Sequence, residues 1–200
     1  MSAPELSERL LGVDEAGALD APGKTDAAVL VAMHGWPDRA RLVFTERRGD
    51  LRRHPGEISF PGGRRDPEDS NFVATALREA EEEIGLDPAS VEIAGALPPV
   101  GTFVTGYRVF PIVGLLKIAP SLVPNPDEVA AVLEFDLTQL RESFAMRRLI
   151  RRGLPIRTPA FQMGDHLIWG ATARILAELI ARLEPLFASG SHWRSDPASR

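Results

Sequence analysis

The stretch from Gly62 to Leu86, GGRRDPEDSNFVATALREAEEEIGL, constrains this chain more than any other. Val73, Ala76, Leu77, Ala80 and Ile84 recur at three- and four-residue spacing, which predicts a helix with one apolar stripe. Asp66-Pro67 or Asp69-Ser70 stands where an N-terminal cap is needed. Gly85 stands where a left-handed C-terminal cap is expected, and Asp87-Pro88 stops continuation. At about 100° per residue, Glu82 lies about 60° from Glu79 on one side and Glu83 about 40° on the other. The three carboxylates therefore share one predicted face. Like charges at these spacings cost an isolated helix a few tenths of a kcal/mol per pair. They also lie toward the C-terminal half, where the helix dipole disfavours anions. A divalent cation relieves all of these penalties. Hard oxygen donors with neither cysteine nor an organised histidine set select Mg²⁺ or Mn²⁺ over zinc. Glutamate-rich faces are ordinarily solvated surfaces, and Pro61-Gly62-Gly63 alone marks only a turn. Joined in this order and spacing, the two are far more specific.

Composition narrows the rest. Two hundred residues suit one compact domain with extra length at the ends. The net charge of -5, from 23 basic and 28 acidic residues, argues against broad nucleic-acid binding. The chain has no cysteine, which excludes disulfides, thiolate metal sites and thiol nucleophiles and fits a cytoplasmic protein. No apolar run approaches the roughly 18 residues needed to span a bilayer. The N-terminus lacks the basic-then-apolar order of a signal peptide. These features argue against a membrane partner and leave the oligomeric state open.

Along the chain, Pro4 to Leu11 is predicted as a short helix and Asp14 to Thr25 as linker. Residues 27–33, 41–47 and 57–60 are predicted strands, as are 91–94, 108–116 and 128–135. Alanines at 130 and 131 leave a helix open for the last of these. Residues 138–152 are predicted as helix with a basic end, and 168–187 as a second long amphipathic helix. Strands and helices mix without regular βαβ alternation, which predicts an α+β fold, a mixed sheet flanked by helices. The expected division is 1–25 as N-terminal helix and linker, 26–188 as the main domain, and 189–200 as a mobile tail.

Arg78-Glu79-Ala80-Glu81-Glu82-Glu83-Ile84-Gly85-Leu86 resembles the second half of the Nudix box, Arg-Glu-U-x-Glu-Glu-x-Gly-U with U apolar. The first half departs from the usual spacing. Counted from Gly63, the acidic position falls on Asp69, and eight residues rather than seven separate it from Arg78. Upstream, Val43-Phe44-Thr45-Glu46-Arg47, Arg52, Gly56 and Phe60-Pro61-Gly62-Gly63 resemble the motif of the coenzyme A pyrophosphatase branch, which also tends to show this lengthened box. Arg48 departs, because a small residue is usual there. Ile168-Trp169-Gly170-Ala171-Thr172 resembles the branch's C-terminal helix entry. The resemblance covers roughly Ala27 to Leu183 and implies a Nudix-type α/β/α sandwich.

It also implies divalent-metal-dependent hydrolysis of a pyrophosphate linked to another group. For coenzyme A or its thioesters the products are 3′,5′-ADP and (acyl-)4′-phosphopantetheine. Carried over by position, Glu79 and Glu83 are the main metal ligands, Glu82 a third, and Gly63 a carbonyl donor. Glu79, Glu82, Glu83 and Arg78 form the catalytic set, with Arg78 positioning a glutamate through an ion pair. A later carboxylate such as Glu128, or one of the box glutamates, orients or deprotonates water. Arg47, Arg52 and Arg53, with Gly62 and Gly63, are the expected substrate-binding residues, helped by Arg48 and with His54 beside them. Arginine forks suit phosphate. Arg147, Arg148, Arg151 and Arg152 read as a basic surface helix face. Phe161 and Trp169 read as core and Tyr107 as packing at a strand edge. The alternatives are a Nudix enzyme acting on NADH or ADP-ribose, and a non-catalytic nucleotide-binding Nudix domain.

Overall fold

A computed structural model describes residues 3–48, 57–102, 105–151 and 154–188. Strand β1 (Thr25–His34) is the spine of the molecule. It pairs in parallel with β7 (Tyr107–Leu116) over ten residues and antiparallel with β2 (Arg41–Arg47). Beyond these lie β3 (Ile58–Ser59) on β2 and β5 (Val91–Ala96) on β7. The short β4 (Gly62–Arg64) pairs with β1, β6 (Val100–Gly101) with β7, and β8 (Val129–Asp136) with β2. The result is an eight-stranded mixed sheet.

Side chains alternate across a strand, and β1 uses both sides. Ala28, Leu30 and Ala32 join a core with Ala76, Ala80 and Ile84 of helix α3 (Phe72–Ile84). Ala27, Val31 and Met33 join the opposite core with Ile175, Leu176, Leu179 and Leu183 of helix α5 (Gly170–Ala188). The sheet is thus sandwiched between helices, as the mixed pattern predicts. A run such as Ala27–Met33 is apolar at nearly every position because both of its faces are covered.

Several local expectations are corrected. Residues 144–151 form strand β9 (Phe144–Arg151), not helix; only α4 (Leu137–Glu142) is helical there. Ala, Met, Arg and Leu in β9 favour helix locally, but pairing with β10 (Leu154–Met163) prevails. The basic residues Arg147 and Arg148 therefore lie on a strand rather than a helix face. Ile168 and Trp169 belong to β11 (His166–Trp169), which completes a separate three-stranded antiparallel sheet, and the helix starts at Gly170. Helix α2 (Val13–Ala18) takes up the start of the stretch read as linker, with Ala16 buried. Helix α1 is shorter than expected, Ala3–Ser7, and Leu6 is fully buried. Phe161 is core, as expected. The tail 189–200 lies outside the described residues.

Candidate functional site

Strand β4 and helix α3 run side by side in opposite directions, joined at three levels. The Gly62 N–H donates to Glu83 Oε2 at 3.1 Å. The Glu79 carboxylate lies against Gly63, where a Cβ would collide with it. Arg78 Nη2 donates to the Arg64 carbonyl at 3.1 Å. The two glycines are required by this closeness. At Gly62, where φ is 154°, a side chain would run into the Ala28 carbonyl of β1. At Gly63 it would displace Glu79.

The cap at the start of α3 is Asn71, not Asp66 or Asp69: its side chain accepts from Ala74 N at 2.9 Å. Asp69 is instead turned inward and is only 8% exposed. A tight loop delivers it, with Asp66 N–H donating to its Oδ2 at 2.9 Å and Arg65 Nη2 to its carbonyl at 3.0 Å. Asp69 grips Arg78 through Nε and Nη2, and Arg78 Nη1 reaches Glu79 at 2.9 Å and Glu82 at 3.2 Å. This bidentate pair holds the Asp69 carboxyl down at about 2 and pushes the Arg78 guanidinium further up. At the far end Gly85 adopts φ 64°, the expected left-handed cap.

The carboxylates differ in exposure more than a shared helix face predicts. The Glu82 side chain is 58% exposed and that of Glu79 17%, whereas Glu83 is 7% exposed as a residue. Burial raises Glu83 to about 7, reinforced by the charges of Glu79 and Glu128 and opposed by Gly62 N–H and by Arg47. Burial likewise raises Glu79, against the pull of Arg78. Glu128 is an exposed residue preceding β8, and both glutamates feel its charge. Its loop is tied to the end of β2, because Arg48 N–H donates to the Glu128 carbonyl at 3.2 Å and Arg48 Nη1 to Pro126 O at 2.7 Å. Arg48, the residue that departs from the branch pattern, thus braces the loop that carries Glu128. Nothing local in the sequence signals that contact.

The predicted residues Arg78, Glu79, Glu82, Glu83, Gly62 and Gly63 come together at one place, and the charge of Arg47 reaches it. Arg52, Arg53, His54 and Gly56 lie outside the described residues. Among the described residues no three carboxylate or imidazole groups are already arranged as a metal cage. Arg78 holds Glu79 and Glu82, and Gly62 holds Glu83. The donor set nevertheless fits a hard divalent cation: half-buried and buried carboxylates of raised affinity for protons face a glycine backbone with no side chain in the way. Elsewhere, among the described residues, no helix is long and apolar enough to cross a membrane.

A family model described as the NUDIX domain matches residues 24–153. The chain is 41% identical over 160 residues to a protein of Photorhabdus laumondii named as an uncharacterized Nudix hydrolase, NudL, covering 79% of this chain and 84% of that one. A protein of the same name from Escherichia fergusonii is 40% identical over 159 residues, covering 78% and 82%. Among solved structures, the Nudix hydrolase RenU of M. smegmatis is similar with a TM-score of 0.51 at 16% identity, over 93% of this chain and 98% of that one. A MutT/nudix family protein from Enterococcus faecalis gives 0.51 at 15% identity, over 92% and 75%. These two likenesses concern the fold.

Proposed function

The chain belongs to the Nudix hydrolase family, and we propose that within it this protein is a divalent-metal-dependent coenzyme A pyrophosphatase, with residues 26–188 as its working unit. The observation that carries this reading is the convergence of Glu79, Glu83 and the charge of Glu128 on the Gly62–Gly63 backbone. Buried acids that repel one another are costly unless a cation neutralises them. Glu79 and Glu83, with Glu82 and the Gly63 carbonyl, would hold Mg²⁺ or Mn²⁺. When bound, the ion supplies positive charge to the pyrophosphate oxygens and lowers the cost of charge build-up there.

The reaction is in-line displacement at phosphorus. Water attacks one phosphorus, the bond to the bridging oxygen breaks, and the second phosphate departs with that oxygen. Such chemistry needs positioning and charge stabilisation rather than a covalent nucleophile. Arg78 sets the rotamers of Glu79 and Glu82, and Asp69 sets Arg78. Glu128, an exposed carboxylate outside the box whose charge reaches Glu79 and Glu83, is the one we assign to orient the water and accept its proton. Arg47, whose charge reaches the site, is assigned to the phosphates, and the resemblance extends that role to Arg52 and Arg53, which lie outside the described residues.

Coenzyme A as substrate rests on the resemblance of Val43 to Arg47, Arg52, Gly56 and Phe60 to Gly63 to the motif of that branch, and the absence of cysteine suits a cytoplasmic setting. Identifying the products of coenzyme A hydrolysis with added Mg²⁺ or Mn²⁺ tests the reading. The expected products are 3′,5′-ADP and 4′-phosphopantetheine, formed faster than products from ADP-ribose or NADH. Equal or faster cleavage of ADP-ribose would move the assignment to another nucleoside diphosphate derivative. Nucleotide binding without any product at saturating metal would make the protein a sensor instead.

A further inference from the structure

The β9–β10 hairpin places Arg148 directly opposite Arg157. Both residues are exposed, and cross-strand partners project on the same face. Like charges in this position destabilise a hairpin. In a chain with 28 acids to 23 bases, carboxylate partners are plentiful. Arg41, Arg78, Arg108, Arg141 and Arg182 each have one. Among the described residues neither Arg148 nor Arg157 has any. Arg147 projects to the other face, where Nη1 donates to Gln162 Oε1 at 3.0 Å, so it does not relieve the pair.

The same face continues toward α4 with Met146 opposite Pro159 and Phe144 opposite Phe161. Met146 is 45% and Phe144 47% exposed, so both leave apolar surface open on this face. Two free guanidinium forks therefore adjoin a short apolar strip on one strand. We infer that this hairpin face binds a phosphate monoester, its phosphate seated between Arg148 and Arg157 and its organic body along Met146 and Phe144. A dianion between two forks turns the repulsion into two charge-assisted contacts. Its residues lie on the three-stranded sheet, none of them on β4 or α3, and the inference does not depend on which pyrophosphate the enzyme cleaves.

Thermal unfolding of the full chain tests this, in chloride and then at matched ionic strength with inorganic phosphate or phenyl phosphate. Without phosphate, Arg148→Gln and Arg157→Gln should each raise the midpoint by about 2 °C, since each removes the repulsion. Phosphate should raise the wild-type midpoint by more than those of the variants, and phenyl phosphate should widen that difference. Ligand bound at the catalytic site shifts wild type and variants alike, so the difference isolates the hairpin. Met146→Ala should remove the advantage of phenyl phosphate while keeping the effect of inorganic phosphate. Equal shifts in wild type and both arginine variants would overturn the inference. So would an unchanged midpoint for both variants in chloride, or a phenyl phosphate effect no larger than that of inorganic phosphate.

Discussion

Asp69 holds Arg78 through two parallel hydrogen bonds, Oδ1 to Nε at 3.1 Å and Oδ2 to Nη2 at 3.0 Å, across nine positions of sequence. The extra residue in the loop does not break this link. A tight Asp66–Asp69 turn presents Asp69 to the helix, and Asn71 rather than Asp69 caps α3. Arg78 in turn fixes Glu79 and Glu82, so Asp69 acts on the carboxylates at one remove.

Asp69→Asn should therefore weaken both fold and site. The amide keeps the size but loses the charge and one acceptor. Removing one partner of a largely buried charged pair is expected to cost about 1–3 kcal/mol. Arg78, less firmly held, then competes with metal for Glu79 and Glu82. Turnover should fall at least tenfold, with a higher metal concentration needed for half-maximal rate. Denaturant unfolding and metal-titrated turnover check this. Normal metal dependence in the variant would show that Asp69 does not position the site.

Glu83 gives the metal-free protein a distinctive pH dependence. Its carboxyl lies at about 7 when folded against an ordinary 4.5. Between those values the folded state retains a proton that the unfolded state has released, so raising the pH favours unfolding. The stabilising contribution is complete below about 4.5 and lost as pH rises through about 7, with a span of about 3 kcal/mol. Asp69 runs the other way, stabilising above about 4 and losing its effect as pH falls toward 2. Unfolding midpoints in chelator from pH 4 to 8 should decline for the wild type and stay much flatter for Glu83→Gln. Parallel profiles would mean that Glu83 is ionised throughout.

Much of this site is legible in the sequence. Apolar spacing over Val73 to Ile84 marks the helix and its buried stripe, and Gly85 marks its end. The pairing of a glycine turn with Arg78 to Glu83 marks where the candidate site lies. What is not legible depends on distant pairing. Glu83 is buried because β4 crosses its face of the helix, and the charge of Glu128 reaches it from a loop that Arg48 anchors some eighty positions away. The second sheet is hidden for a similar reason. Residues 144–151 carry helix-favouring side chains, and Pro155 and Pro159 disguise β10, so only the pairing of the two segments makes them strands.

Gly63→Ala tests the closeness of strand and helix. The added methyl would meet the Glu79 carboxylate, which must then swing away from the backbone. Because the displaced group is a side chain, the loss of stability should be modest, about 1 kcal/mol. The loss of turnover should be larger, about a hundredfold, because the displaced group is an expected metal ligand. A crystal structure or metal titration of the variant would locate the change. Wild-type turnover would separate Glu79 from the site.

The glutamates should rank by burial. Glu82 is mostly exposed and already held by Arg78, while Glu83 is buried against Gly62 and, among the described residues, has no cationic side chain bonded to it. Glu83→Gln keeps an oxygen for the Gly62 N–H and removes a repelling charge, so the metal-free fold should be intact and slightly more stable near neutral pH. Its turnover should drop by several orders of magnitude, since phosphoryl chemistry depends on charge held at the ion. Glu82→Gln should cost roughly ten- to a hundredfold less than Glu83→Gln, because an exposed ligand is more readily replaced by water. Saturating-metal turnover of the two variants, with melting in chelator, measures both effects. A larger loss for Glu82→Gln would place the principal ligand on the exposed side of the helix and reverse the assignment made from burial.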